Sequence, residues 1–175
     1  MRPFVADLQA GRTKIGLWQA MANPYSAELC AGTGFDWLLF DGEHAPNTVP
    51  LLLAQLQAVT GTGVEPVVRP AASDPVLIKQ LLDVGFRTLL LPMVDTPEQA
   101  ARLVAATRFP PHGIRGVAGS TTRASGFGTR TDYLATAHEE LCVIVQIESR
   151  TGLEHVAEIA ATPGGDGGFI GPGGL

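Results

Sequence analysis

Short, nearly unbroken apolar runs alternate along the chain with longer segments of helical periodicity. Lys14–Gln19 predicts a strand. Asn23 followed by Pro24 predicts a helix over Pro24–Ala31, with Asn as its cap and Pro at its first position. Phe35–Phe40 is apolar at almost every position, as in a strand covered on both faces. A helix over Val49–Thr60 and a strand over Val64–Val68, ending at Arg69, come next. Ser73-Asp74-Pro75 opens a helix to Val84, and Thr88–Leu91 predicts a fourth strand. Thr96 and Gln99 have capping-box spacing and open a helix to about Arg108. An irregular stretch from Phe109 to Arg130 interrupts the rhythm; a connection of that length in a compact domain is usually functional. A short helix over Asp132–Glu140, a strand over Cys142–Ile147, a helix over Gly152–Ala161 and a strand over Gly168–Ile170 complete the pattern.

Strands alternating with helices imply an α/β fold with a parallel sheet and right-handed crossovers. Such a sheet either stays open or closes into a barrel. The conspicuous polar residues follow strands: Asp41, Glu43 and His44 after the second, Arg69 after the third, Gln146 and Glu148 at the fifth. A barrel brings the C-terminal ends of all strands to one mouth, where these groups can converge. The expected fold is therefore a (β/α)8 TIM barrel of which about six βα units are present. Residues 1–175 are read as a single partial barrel domain, and the ending Gly171-Pro172-Gly173-Gly174-Leu175 as the edge of a fragment.

Composition narrows the partners. Only 17% of residues are charged, and 21 of 175 are glycine, so disorder is excluded and tight turns are many. Twelve basic against seventeen acidic residues give −5, which argues against nucleic acid and anionic membranes. The segment Met1–Asp7 lacks an apolar core and is not a signal peptide, and no run approaches ~18 consecutive apolar residues. Cys30 and Cys142 read as buried free thiols, and His112, His138 and His155 as surface histidines. A cytoplasmic protein is expected.

The densest polar cluster is Asp41-Gly42-Glu43-His44. An Asp three residues before a His can accept the ring N–H and leave the other nitrogen as a base; equally, the segment can be a capping loop with a solvated His. Glu148 at a strand end suits a hard cation such as Mg²⁺ or Mn²⁺, or else caps a helix. Arg69, fixed between Val68 and Pro70, can bind a carboxylate or an enolate oxygen, or form a structural ion pair. The two lysines, Lys14 at the start of a strand and Lys79 within a helix, leave none for a Schiff base at the mouth. No GxGxxG or phosphate-binding loop follows a strand, so no nucleotide cofactor is expected.

These residues also carry a resemblance. Gly34-Phe35-Asp36-Trp37-Leu38-Leu39-Phe40-Asp41-Gly42-Glu43-His44-Ala45-Pro46-Asn47 is similar to the signature of the HpcH/HpaI aldolases. Pro66-Val67-Val68-Arg69-Pro70, Ile78–Gly85, Arg108–Gly116, Val145-Gln146-Ile147-Glu148-Ser149 and Phe169-Ile170-Gly171-Pro172 agree in order and spacing. The family includes 4-hydroxy-2-oxoheptanedioate and 2-dehydro-3-deoxyglucarate aldolases.

The resemblance implies a class II pyruvate aldolase on a TIM barrel, assembled as a homo-oligomer, usually a hexamer. It would use Mg²⁺, Mn²⁺ or Co²⁺ to cleave a small-molecule 4-hydroxy-2-oxoacid in aromatic or sugar-acid catabolism. His44 would be the base, oriented by Asp41, and Arg69 would stabilise the enolate. Glu148 would ligate the metal with Gln146 close by. The backbone around Gly171 and Pro172 would hold the pyruvyl carboxylate, and Arg123 would face the distal part of the substrate. The family's second metal-ligating Asp falls on Gly174, and Asp166, before the sixth strand, lies at the wrong end to replace it. Two rival readings remain: a related phosphoenolpyruvate or acyl-CoA lyase, and a metal-defective remnant that acts only as a binding module.

Overall fold

The computed structural model describes residues 3–175; Met1 and Arg2, which open the segment read as lacking a leader, lie outside the described residues. Helix α1 (Pro3–Gln9) precedes the first strand, and β1 (Gly16–Gln19), α2 (Pro24–Ala31), β2 (Trp37–Asp41), α3 (Val49–Val59) and β3 (Glu65–Arg69) follow in strict alternation. The pattern continues through α4 (Pro75–Asp83), β4 (Thr88–Leu91), α5 (Pro97–Thr107), the short α6 (Tyr133–Thr136) and β5 (Cys142–Ile147). Helices α7 (Arg150–Glu154) and α8 (Val156–Ala160) lead to β6 (Gly167–Ile170). All strands are parallel and ordered β1-β2-β3-β4-β5-β6 in one curled sheet, with no ladder joining β6 to β1 among the described residues.

The apolar strand runs are explained by burial on both faces. Leu38, Phe40, Val68, Leu89, Leu91, Val143, Val145 and Ile147 point outward and pack under the helices in the main core. The alternate positions Leu39, Val67 and Leu90 point into the curl, with Trp18, Trp37, Ile144 and Phe169 around them. Trp18 and Phe169, from the first and last strands, touch across the lumen with ring centroids 5.5 Å apart. Gly16 lies beneath the Trp37 indole, which would collide with any Cβ there.

Helix starts follow the expected chemistry. Asn23 Oδ1 accepts the Tyr25 N–H, Asp74 Oδ1 accepts those of Val76 and Leu77, and Thr96 Oγ1 accepts that of Gln99. The Gln99 amide oxygen reaches back one residue beyond the cap, to the Asp95 N–H.

Several boundaries differ from the sequence pattern. β1 begins at Gly16 because Lys14 and Ile15 are held by Asp36: the Ile15 N–H bonds Asp36 Oδ2 at 2.8 Å, and Lys14 pairs with Asp36 and Asp7. That Asp7 contact also anchors α1, whose 7 residues are too few to give a periodic signal. The helix expected over Gly152–Ala161 starts at Arg150, capped by Ser149, and breaks at His155. The segment before β5 is α6 followed by a 3-10 turn, Ala137–Glu140. Cys142 is buried but Cys30 only partly so, packing against the edge of the main core from α2. No helix among the described residues is long and apolar enough to cross a membrane.

Candidate active site

The ends of β2, β3 and β5 bring the cluster together. Asp41 and Arg69 are register partners on adjacent parallel strands, so both side chains leave the same face of the sheet, into the curl. Arg69 Nε donates to Asp41 Oδ1 at 2.9 Å and Nη2 to Asp41 Oδ2 at 2.7 Å, a fork-on-fork pair with both residues buried. Arg69 Nη1 lies 3.1 Å from Glu43 Oε2 and 3.4 Å from Gln146 Oε1. Three of the five guanidinium hydrogens are thus hydrogen-bonded, two to Asp41 and one to Gln146, which leaves one on Nη2 for a ligand and one on Nη1 facing Glu43. The Trp18 ring lies beneath the group, 5.4 Å from Cζ.

Gln146 continues the chain of contacts, its Nε2 donating to Glu148 Oε2 at 2.7 Å. The other Glu148 oxygen accepts the Met93 N–H at 2.8 Å, which ties the carboxylate to the end of β4. Glycine is needed twice here. A Cβ on Gly42 would stand 2.8 Å from the Arg69 carbonyl oxygen, and one on Gly171 would crowd Gln146 Nε2 at 3.1 Å and Glu148 Cβ at 3.2 Å.

Electrostatics separate the two carboxylates after β2. Burial pushes the Asp41 carboxyl up, but the Arg69 bonds and charge, with the N–H groups of Glu43 and His44, outweigh it and hold it below its ordinary value. Burial dominates at Glu43, and the negative charges of Glu148 and Asp41 add to it; against the pull of Arg69 and His44, the carboxyl ends above its ordinary value. Glu43 Oε2 is also a buried oxygen without a hydrogen bond of good geometry, although Arg69 and His44 lie close.

Two expectations are corrected, the orientation of the His44 ring by Asp41 and the placement of Arg123. The Asp41 carboxylate takes the backbone N–H of His44 at 3.4 Å and not its ring, because Arg69 occupies both oxygens. The His44 imidazole is 73% exposed, and its Nε2 lies 3.7 Å from Glu43 Oε2. The Gly171 N–H donates to the Ile147 carbonyl at 2.9 Å and Pro172 has no N–H, so a bound carboxylate would draw on the next donor, Gly173. Arg123 is far from the mouth. The 109–130 connection runs from α5 to β5 and therefore lies at the N-terminal ends of the strands, where Arg123 Nη1 bonds the Val84 carbonyl at 3.0 Å.

Glu43 and Trp18 join the site without having been singled out for a role. The signal for Trp18 was its parity, inward on β1, which only a known register converts into proximity to Arg69. Asp166 is at the far end as expected, its Oδ2 accepting the Val143 N–H, and Lys14 and Lys79 are likewise remote from the mouth.

Glu148, Glu43 and the Gln146 amide oxygen offer hard oxygen donors of the kind Mg²⁺ and Mn²⁺ prefer, and the hydrogen-bond-poor Glu43 oxygen fits that use. Among the described residues, no three His, Cys, Asp or Glu side chains gather as a metal cluster. Gly174, where a second acidic ligand was expected to be lost, abuts the Glu148 carbonyl.

Known proteins share this arrangement of sequence. The model of the HpcH/HpaI aldolase/citrate lyase family matches residues 14–175. A hydroxypyruvate/pyruvate aldolase of Chromohalobacter salexigens is 61% identical over 170 residues, 97% of this chain and 66% of the relative. A 4-hydroxy-2-oxo-heptane-1,7-dioate aldolase of Salmonella dublin is 56% identical over 169 residues, 97% of this chain and 64% of the relative. The crystal structure of an HpcH/HpaI aldolase/citrate lyase family protein from Burkholderia cenocepacia superposes with a TM-score of 0.94 at 45% identity, covering 100% of this chain and 70% of that one. The chain spans less than two thirds of the length of either curated relative.

Proposed function

The chain belongs to the HpcH/HpaI aldolase/citrate lyase family, and from that premise we propose that it serves a pyruvate aldolase acting on 4-hydroxy-2-oxoacids. The observation that carries this reading is the continuous contact chain Asp41–Arg69–Gln146–Glu148, which joins three strand ends into one polar floor. The relatives' names support pyruvate or hydroxypyruvate as the nucleophilic partner, and 4-hydroxy-2-oxoheptanedioate as one substrate of the class.

Each residue has a task in that chemistry. Arg69, clamped by Asp41, cannot swing away, and its remaining Nη2 hydrogen holds the oxygen that gains charge as the enolate forms. His44, open to the mouth, removes the 4-hydroxyl proton; Glu43 beside Nε2 steadies the resulting imidazolium. The C3–C4 electron pair passes into the enolate as the aldehyde leaves, and protonation at C3 gives pyruvate. The Gly173 N–H takes the substrate carboxylate. A divalent cation, Mg²⁺, Mn²⁺ or Co²⁺, held by Glu148 with Gln146 and Glu43 as further oxygens, would supply Lewis-acid polarisation of the 2-keto group. Following the family's general pattern, a homo-oligomer completes the enzyme.

A second reading, a non-catalytic 2-oxoacid-binding chain, is favoured by the absence of a three-ligand metal cluster among the described residues. Exchange of the pyruvate methyl protons for deuterium, followed by NMR with Mg²⁺, separates the two. The aldolase reading expects exchange above buffer that EDTA abolishes. Exchange undiminished by EDTA overturns the metal mechanism, and saturable pyruvate binding without exchange leaves the second reading.

A further inference from the structure

The foot of the curl, at the opposite ends of the strands, carries another group of cations. Arg87, Arg123 and Arg130 line a cavity of about 270 Å³ with Phe86, Tyr133 and Glu140. An adjoining cavity of about 280 Å³ shares Arg87 and Arg123 and reaches Thr60 and Glu65. Glu65 begins the strand that ends at Arg69, so the two groups are separated by four rises, about 13 Å.

The three arginines are not equivalently partnered. Arg130 forks onto Glu140 and lies over the Tyr133 ring, and Arg87 Nε approaches the same carboxylate at 3.3 Å. Glu65 is engaged by the Thr88 hydroxyl. Arg123 has only neutral oxygens: the Val84 carbonyl at 3.0 Å and the Thr60 hydroxyl at 3.4 Å. Among the described residues no carboxylate lies within ion-pairing distance of it. The guanidinium is seated over Gly85, at φ +108°, where a Cβ would stand 2.7 Å from Nη1. A half-buried cation without a counter-charge, facing a cavity and held there by the lack of a side chain beneath it, is a preformed anion receptor.

We propose that this cavity binds a small carboxylate- or phosphate-bearing metabolite, with Arg123 as anchor and Arg87 as a second arm. The arginine fork matches either anion in two-point geometry. A volume close to the ~300 Å³ lower bound of small-molecule sites limits the ligand to a few carbons. Arg87, exposed over 60% of its side chain, is free to close on the guest. The site is independent of the aldolase reading and uses none of its residues.

Calorimetric titration of the whole chain with inorganic phosphate and, separately, with succinate tests this, at constant ionic strength and with EDTA present. Saturable one-to-one uptake of at least one probe is expected, and the probe that binds names the anion class. Affinity should fall at least ~10-fold in Arg123→Gln and in Arg87→Ser, and stay unchanged in Glu148→Gln. Absence of saturable uptake of both probes overturns the proposal, as does full affinity in Arg123→Gln. If Arg123→Gln does not fold, full affinity in Arg87→Ser overturns it instead, since that side chain is 60% exposed and its ion pair among the described residues is with Glu140.

Discussion

The Asp41 carboxylate and the Arg69 guanidinium stand opposite each other on the last rung of two adjacent strands, and both carboxylate oxygens are taken by the pair. Breaking a buried pair strands a charge and costs ~3–5 kcal/mol. Because Glu43 remains 3.1 Å from Arg69, Asp41→Asn should fall near the lower end, about 3 kcal/mol, in urea denaturation. Adding Arg69→Met to that variant should cost less than the sum of the single changes, since the Asp41–Arg69 pair is then removed from both sides and only Glu43 loses a cation.

Stability should also depend on pH through Glu43. Its folded carboxyl keeps its proton above the ordinary value of 4.5, so between the two values the folded state binds more protons than the unfolded. The native chain therefore loses stability as pH rises from 4.5 through the raised folded value, and Glu43→Gln removes that decline. Asp41 acts oppositely: its contribution is complete above 3.8 and is lost as pH falls through the lowered folded value. Parallel urea midpoints for the native chain and Glu43→Gln across pH 4 to 7 would refute the assignment.

The His44 imidazole is 73% exposed and makes no close hydrogen bond, only a 3.7 Å approach to Glu43, so replacing it should affect chemistry far more than folding. His44→Ala is expected to lower the rate of pyruvate release by ~10²–10⁴, with an unchanged melting temperature. A rate within a factor of a few of the parent would move the base elsewhere.

Glu148 joins the cation reading to the contact chain. Glu148→Gln retains the shape and a donor–acceptor terminus but loses the charge, and Mn²⁺ affinity, read by electron paramagnetic resonance, should weaken at least ~10-fold. Equal Mn²⁺ binding in variant and parent would place the ion on other residues.

Much of this was legible in the sequence because local signals and global fold agree. Asn23, Asp74 and Thr96 announced their helices by chemistry that is complete within a few residues. The strand runs were visible because both faces of each strand are buried. Residues at strand ends could be assigned to one mouth from topology alone. Pairings across strands could not. That Asp41 bonds Arg69 and not the His44 ring depends on register, which spacing within one segment does not encode. Arg123 was misplaced for a related reason: its loop follows a helix, and connections of that kind sit at the opposite end of the curled sheet.

The touch of Trp18 on Phe169 acquires another meaning once the ladders are counted. Among the described residues each outer strand is hydrogen-bonded to a single neighbour, and these two rings bridge the curl between them. Backbone amides of Gly16–Gln19 and Gly167–Ile170 should exchange with solvent deuterium well before those of Glu65–Arg69 and Thr88–Leu91. The same two rings pack against Leu39, Val67 and Leu90, so the lumen below the polar floor is lined by apolar surface and the charged groups of the mouth stand on a dry base.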